Sequence, residues 1–393
     1  MKSIIIFSSK SSSVLRKHPW IFSGALKLKP DNLEEGELVQ VENDKAQVLG
    51  FGHYQNNNIA IKLLGFSPDV YSDNFWNDAL QKAYDIRKSF NLSDSKDTDA
   101  YRLVHGEGDN LPGLIIDIYG KTAVIQCHSV GMYNNIKTIA DILLKIYNGK
   151  INNVFIKSKD TLSGNSDHNS ENKFLFGGFE TVLIKENNLQ FEINLIESQK
   201  TGFFLDQRDN RKLLMQYAKD KNVLNTFCYT GGFSLYALTA QAQQVDSIDS
   251  SKTAIAQLNK NIEINFPNCN NHNSICEDAI HYLNTMPSDQ YDLIILDPPA
   301  FAKNISKRHN AIQAYKRINI NALKKIKSGG ILFTFSCSQV VTEELFYHTI
   351  ISAGIESGRK IQILHKLHQG PDHPVNLFHP EGAYLKGMVL RVE

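Results

Sequence analysis

Along roughly the first 70 residues, apolar and polar side chains alternate in short runs, "GELVQV", "AQVLGFGHY" and "NNIAIKLLG", separated by Gly, Asn and Asp. A period of two turns one face of each run toward a core, and the turn-forming separators predict a small β-rich barrel. The next stretch, "DNFWNDALQKAYDIRKSF", carries apolar residues at helical spacing, and "YRLVHGEGDNLPGLIIDIYGKTAVIQCH" after it reads as strand, turn, strand, strand. Together they predict a second, smaller α+β unit. A polar segment over residues 158 to 173, "SKDTLSGNSDHNSENK", has the composition of a loop or insertion. From about Leu195 the pattern changes to short apolar runs, "NVLNTF", "QVDSID", "YDLIILD" and "GGILFTFS", alternating with amphipathic stretches of helical length. That alternation predicts an α/β, doubly wound, mainly parallel sheet that binds its ligand at the carboxyl ends of the strands. The expected division is 1–72, 73–194 and 195–393. No internal repeat is visible.

Composition narrows the class without naming the activity. A chain of 393 residues suggests two or three cores, and 42% hydrophobic with 21% charged residues excludes disorder throughout. No apolar run is long enough to span a bilayer, and Met1 to Lys10 lacks the pattern of a secretory signal, so a cytosolic protein without membrane contact is expected. The five cysteines, Cys127, Cys228, Cys269, Cys276 and Cys337, never fall at CxxC spacing, which indicates neither a disulfide framework nor a metal site. Net charge is +1, but its distribution is uneven. Residues 1–30 hold Lys2, Lys10, Arg16, Lys17, Lys27 and Lys29 without a carboxylate, and residues 300–330 hold eight Lys or Arg, again without one. Both stretches would attract phosphates, with Arg16, Lys17, Lys303, Lys307 and Arg308 as candidate RNA contacts. A solvated helix face is the alternative for the last three.

The chemistry should lie where the strands of the C-terminal half stop. After "NVLN" comes "TFCYTGGFS", with Gly231 and Gly232 entering the next helix, where exposed backbone N–H groups favour an anion. Such a turn serves equally as a tight connection. The next strand ends at Asp249, 24 residues after Asn225, where a carboxylate can bind two ribose hydroxyls. "NSIC" ends at Glu277 and Asp278, either a place to meet an adenine amino group or a plain loop acid. In "YDLIILDPPAF" a buried strand delivers Asp297 to its end, and Pro298 and Pro299 fix a rigid rim. "GGILFTFSCSQ" places Cys337 just past the following strand. A cysteine there is usually inert core, but beside Asp297 it becomes a candidate nucleophile.

"KTGFFLDQRDNR" at 200–211, "NTFCYTGGFS" at 225–234, "DPPAF" at 297–301, "SCS" at 336–338 and "HPWIFSGAL" at 18–26 occur in an order that resembles the RlmI family of 23S ribosomal RNA large-subunit (cytosine-5) methyltransferases. The resemblance covers nearly the whole chain. It implies an N-terminal PUA domain, a central α+β linker domain and a C-terminal class I, Rossmann-like domain with S-adenosylmethionine as methyl donor. By position, Lys200, Phe204, Asp206, Gln207, Arg208 and Asn225 would border the donor pocket, with Thr230 and Gly231 facing the methionine moiety, Asp249 the ribose and Asp278 the adenine. One departure stands out: Phe227 and Tyr229 occupy positions that are glycine in the usual class I loop, and an acid often stands where this chain has Asn225. Family chemistry would add the Cys337 thiolate to cytosine C6, while Asp297, also a pocket residue, would hydrogen-bond the base edge at N3 and O2. Ala300 stands where related enzymes carry a second cysteine, so the base that removes the C5 proton is unidentified. Trp20 is placed either to stack on a base or to be buried in the barrel.

The implied partner is 23S ribosomal RNA or a large-subunit assembly intermediate, and the edge strands of the first two domains are where a homodimer would form. Three other readings compete. Asp-Pro-Pro followed by an aromatic also resembles methyltransferases acting on base nitrogens, although Ala300 intervenes before Phe301. The altered glycine loop would suit an RNA-binding assembly factor that has lost catalysis. A nicotinamide-dependent dehydrogenase is distant, because Gly-x-Gly-x-x-Gly is missing after the first strand.

Overall fold

The computed structural model describes residues 1–67, 69, 71–162 and 170–393, so the centre of the polar 158–173 segment lies outside the described residues. The chain divides into two compact units. One comprises Met1–Lys185, Ile193–Leu205 and Pro371–Gly382, and the other Glu186–Glu192, Asp206–Gly370 and Ala383–Glu393.

The first unit contains a six-stranded and a five-stranded sheet. Its N-terminal sheet has six strands in the order Trp20–Phe22, Ile59–Phe66, Val48–Tyr54, Leu38–Asn43, Lys2–Ile6, Leu26–Leu28. All pairings are antiparallel except Lys2–Ile6 with Leu38–Asn43. Strict alternation in "LVQVEN" puts Val39, Val41 and Asn43 inside, where they meet Ile4, Ile6, Ile21, Leu49 and Ile61. Trp20 is only partly buried, and its indole Nε1 donates to Glu107 at 2.8 Å. The second sheet has five strands: Lys173–Phe176, Asn153–Ile156, Thr122–Cys127, Leu114–Tyr119 and Ala100–His105. The helices Phe75–Ser89 and Ile136–Tyr147 cover it through Leu80, Ala83, Ile139 and Leu143.

Two buried ion pairs brace this part. Arg87 binds Asp109 with both guanidinium ends and donates to the Arg102 and Asp372 carbonyls, while Arg102 Nε meets Asp117 Oδ1 at 2.8 Å. The start of the "KTGFFLDQRD" motif is fastened here as well. Thr201 donates to Asp117 at 2.6 Å, and the Phe203 amide donates to Tyr119 Oη at 3.1 Å.

The second unit is the doubly wound domain. We label its strands β1 Asn222–Thr226, β2 Gln244–Asp249, β3 His272–Cys276, β4 Leu293–Leu296, β5 Gly330–Ser336, β6 Ile361–Leu367 and β7 Lys386–Val392. Its helices are α1 Arg208–Ala218, α2 Gly232–Thr239, α3 Lys252–Asn265, α4 Ala279–Thr285, α5 Arg308–Lys325 and α6 Glu343–Ser357. The sheet order is β3-β2-β1-β4-β5-β7-β6, parallel except for β7, which runs antiparallel between β5 and β6. The order reverses direction at β1 and β4, so β1, β2, β4 and β5 stop around one crevice, the switch point where such sheets bind ligands. The central strands are wholly buried: "LIIL" in β4 shows no exposed residue, as expected for a strand covered on both faces. Among the described residues no helix is long and apolar enough to cross a membrane.

Candidate active site

The connection from β1 to α2 carries the first part of the site. Phe227, Tyr229 and Gly231 have φ of 54°, 47° and 86°, so every second residue is left-handed. Two of these are not glycine. A side-chain-bearing residue in that region costs about 1–2 kcal/mol, and the loop keeps the backbone course of a glycine-rich turn despite lacking two of its glycines. Strand β2 stabilises it: Asp249 accepts from the Tyr229 amide at 3.0 Å and from the Ser251 amide at 2.9 Å. Each Asp249 oxygen retains acceptor capacity, which suits a ribose diol. Gly231 caps α2, and a Cβ there would meet Leu258 Cδ1 at 2.0 Å. The Thr230 carbonyl is held by Asn261 Nδ2 at 3.0 Å. Asn225 lies inside β1, where its Nδ2 donates to Ser234 Oγ at 2.8 Å and its Oδ1 is buried without a partner. Asp278 is exposed, and its Oδ1 caps α4 by accepting from the His281 amide at 2.8 Å.

A second group gathers at the ends of β4 and β5. Gln207 is buried and hydrogen-bonds Asp297, while its Oε1 accepts from Asn210 Nδ2 at 2.7 Å. Asp206 Oδ2 accepts from the Tyr384 hydroxyl at 2.6 Å, and its Oδ1 is buried without a partner. Loss of solvent, with Asp206 nearby, pushes the Asp297 carboxyl up to about 7. At neutral pH it therefore spends much of its time protonated. Cys337 Sγ sits 3.8 Å from the Pro298 carbonyl. Burial first, then the negative charges of Asp297 and Asp206, push its thiol up to about 12. One cation opposes them. Lys386, at the start of β7 and paired with Ser336 in register, is buried and donates to the Ser338 carbonyl at 2.7 Å. Burial brings its ammonium down to about 8, and its charge favours the Cys337 thiolate.

Of the residues singled out from sequence, Asp206, Gln207, Asp297 and Cys337 thus come together, and Thr230, Gly231 and Asp249 form the neighbouring loop. Arg208 is buried at the start of α1. Lys200 and Phe204 belong to the first unit. Lys303, Lys307 and Arg308 are exposed and make no ion pair among the described residues, whereas Lys316, Lys325 and Lys327 from the same basic stretch are engaged by Glu356, by the Asn284 and Met286 carbonyls, and by Asp292. In the N-terminal stretch Lys2 pairs with Glu37 and Lys27 with Asp44. Arg16 is exposed, and Lys17 lies over the Phe66 ring.

Sequence reasoning missed Lys386, Arg211 and Glu186. A lysine inside the apolar run "YLKGMVL" was the available signal for the first. Arg211 Nε meets Glu186 Oε1 at 2.8 Å in a buried pair that also takes the Tyr236 hydroxyl, and nothing in the local pattern joins residues so far apart.

The family model of S-adenosylmethionine-dependent methyltransferases matches residues 163–380, and that of PUA-like domains matches residues 4–66. The ribosomal RNA large subunit methyltransferase I of Pseudoalteromonas atlantica is 34% identical over 394 residues, covering 99% of both chains. The protein of the same name from Escherichia coli O139:H28 is 33% identical over 395 residues, again 99% of both. The chain belongs to the ribosomal RNA large subunit methyltransferase I family. A solved structure described as a candidate methyltransferase in complex with S-adenosylhomocysteine is 25% identical over 100% of both chains, with a TM-score of 0.84. As in other members of this methyltransferase family, S-adenosylmethionine is the cofactor, and the loop geometry fits it. The left-handed 227–231 turn, the acceptor capacity left on Asp249 and the unpartnered buried oxygens of Asn225 and Asp206 provide polar groups for such a ligand.

Proposed function

We propose that this chain forms 5-methylcytosine in 23S ribosomal RNA, acting in the cytosol on the RNA or on a large-subunit assembly intermediate. The relatives' names supply the ribosomal RNA, and the observation that carries the chemistry is the placement of Cys337 and Asp297 at the ends of adjacent parallel strands. In this reading residues 1–72 bind RNA, 73–194 link and 195–393 catalyse.

S-adenosylmethionine, when bound, supplies an electrophilic methyl group. Asp206, Gln207, Arg208, Thr230, Gly231 and Asp249, with Asn225 and Asp278, would hold it. The Cys337 thiolate adds to cytosine C6, which moves an electron pair to C5 and makes that carbon nucleophilic. A protonated Asp297 donates to the base edge and offsets the charge that develops on N3 and O2. Lys386 lowers the cost of forming the thiolate from a thiol that the acids disfavour. After methyl transfer a base takes the C5 proton, the electron pair re-forms the ring double bond, and the thiolate leaves.

Mass mapping of ribosomal RNA from cells with the gene, without it, and with Cys337→Ala tests this. A 5-methylcytosine present only with the parent gene is expected. Undiminished methylation by Cys337→Ala would instead favour transfer to a base nitrogen.

A further inference from the structure

In the first unit, His18, His379 and Glu381 converge where strand Trp20–Phe22 begins and the short turn Pro380–Gly382 ends. One ligand-capable atom from each lies within 4.8 Å of the others. His18 Nε2 is 3.9 Å from Glu381 Oε1, and His379 Nε2 is 3.8 Å from Glu381 Oε2. These separations are too long for hydrogen bonds. They lie close to the spacing of about 3.4 Å between neighbouring donors of a tetrahedral zinc ion.

His379 supplies an independent observation. Its side chain is 5% exposed, yet neither ring nitrogen has a hydrogen-bond partner. The Trp20 ring packs edge-on against it at 4.4 Å and is itself held through its indole by Glu107, so the imidazole is boxed in place. Its Nε2 is the nitrogen nearest the Glu381 carboxylate. A buried nitrogen normally finds a partner, and a cation shared with Glu381 would provide one.

We propose that His18, His379 and Glu381 bind a divalent transition metal, for which zinc is the probe, through two imidazoles and one carboxylate. Softness and geometry both suit this: imidazole and carboxylate together select borderline ions such as zinc over calcium or magnesium. His18 would ligate through Nε2; its Nδ1 accepts from the Trp20 amide at 3.1 Å in the metal-free chain, and ligation would move the ring proton to Nδ1, toward the Trp20 carbonyl 3.4 Å away. Glu107 adds negative charge beside His379, and the exposed side of Glu381 leaves room for water to complete the shell. Bound in this way, the ion would clasp the start of the N-terminal sheet to residues 379–381 within the same unit.

The full-length chain, stripped with chelator, is titrated with zinc in a calorimeter and with cobalt(II) in a spectrophotometer, alongside Glu381→Gln and His379→Asn. Glu381 is exposed, so its amide variant tests the site without disturbing the fold. One equivalent of zinc is expected, with affinity reduced at least tenfold in both variants. The cobalt spectrum should show ligand-field bands but no thiolate charge transfer, which excludes the cysteines. No stoichiometric uptake by the parent chain, or uptake equal in all three proteins, would overturn the proposal.

Discussion

Replacing Gly231 with alanine probes the loop proposed to hold the methyl donor. Gly231 has φ 86°, where a residue with a Cβ loses about 1–2 kcal/mol. The added Cβ would also stand 2.0 Å from Leu258 Cδ1, and Leu258 is fully buried in α3. Forcing such a side chain off its rotamer costs typically about 1–3 kcal/mol. The two effects sum to about 2–5 kcal/mol. At roughly 2–4 °C per kcal/mol for a domain of this size, Tm should fall by roughly 4–20 °C. Gly232→Ala is the matched control. Gly232 is not left-handed, its added Cβ would meet Arg211 Cδ at 3.0 Å and require only a small shift of a side chain held by Glu186, and alanine is favoured in a helix by about 0.5–1 kcal/mol. That variant should stay within about 1 kcal/mol of the parent. Calorimetric melting of the two variants decides the matter, with titration of S-adenosylmethionine expected to show weaker binding only for Gly231→Ala. Equal Tm values for the two would refute the argument that a left-handed, closely packed turn shapes the loop.

Asp297 is ionised less readily in the folded chain than in the unfolded one, so between pH 4 and pH 7 the native state holds the extra proton and this group's contribution to stability falls as pH rises, by at most about 1.4 kcal/mol per pH unit. Asp297→Asn should therefore gain stability relative to the parent across that window and hold the gain at pH 8, as urea unfolding at several pH values would show. Lys386→Met removes the cation opposing Asp297 and Asp206 at Cys337, so iodoacetamide should alkylate Cys337 with a pH midpoint above the parent's. An unchanged midpoint would remove Lys386 from the proposed chemistry. Asp109→Ala strands the buried Arg87 guanidinium and should cost about 3–5 kcal/mol in denaturant unfolding. Replacing Lys303, Lys307 and Arg308 together by Gln should weaken RNA binding and reduce the slope of log K against log salt by about 2, if each contacts one phosphate of a single strand.

The parallel sheet was legible because its central strands are largely buried and read as apolar runs, "YDLIILD" above all, with Asp249, Asp297 and Cys337 marking where runs stop. The antiparallel β7 between β5 and β6 was not, since insertion of the last strand into a sheet depends on pairing between distant residues rather than on local period. Residues 193–205 and 371–382 group with the first unit for a similar reason. Their anchors, Thr201 with Asp117 and the Asp372 carbonyl with Arg87, span long separations and leave no compositional mark. In the loop after β1, Phe227 and Tyr229 read from sequence as a departure from the glycine pattern, yet the backbone keeps the left-handed turns at a cost in strain. The basic stretch at 300–330 looked uniform in sequence, and only side-chain pairing separates Lys316, Lys325 and Lys327 from the exposed Lys303, Lys307 and Arg308.

The proposed catalysis turns on a covalent bond between Cys337 and cytosine C6. RNA in which cytosine is replaced by 5-fluorocytosine gives the most direct test, because fluorine at C5 leaves no proton to remove and the thiolate cannot be expelled after methyl transfer. With S-adenosylmethionine and large-subunit RNA, the parent chain should form a denaturant-resistant adduct, with peptide mass mapping placing the nucleotide on Cys337 and Cys337→Ala forming none. Methylation of ordinary RNA without any adduct on the fluorinated RNA, or an adduct on another residue, would contradict it.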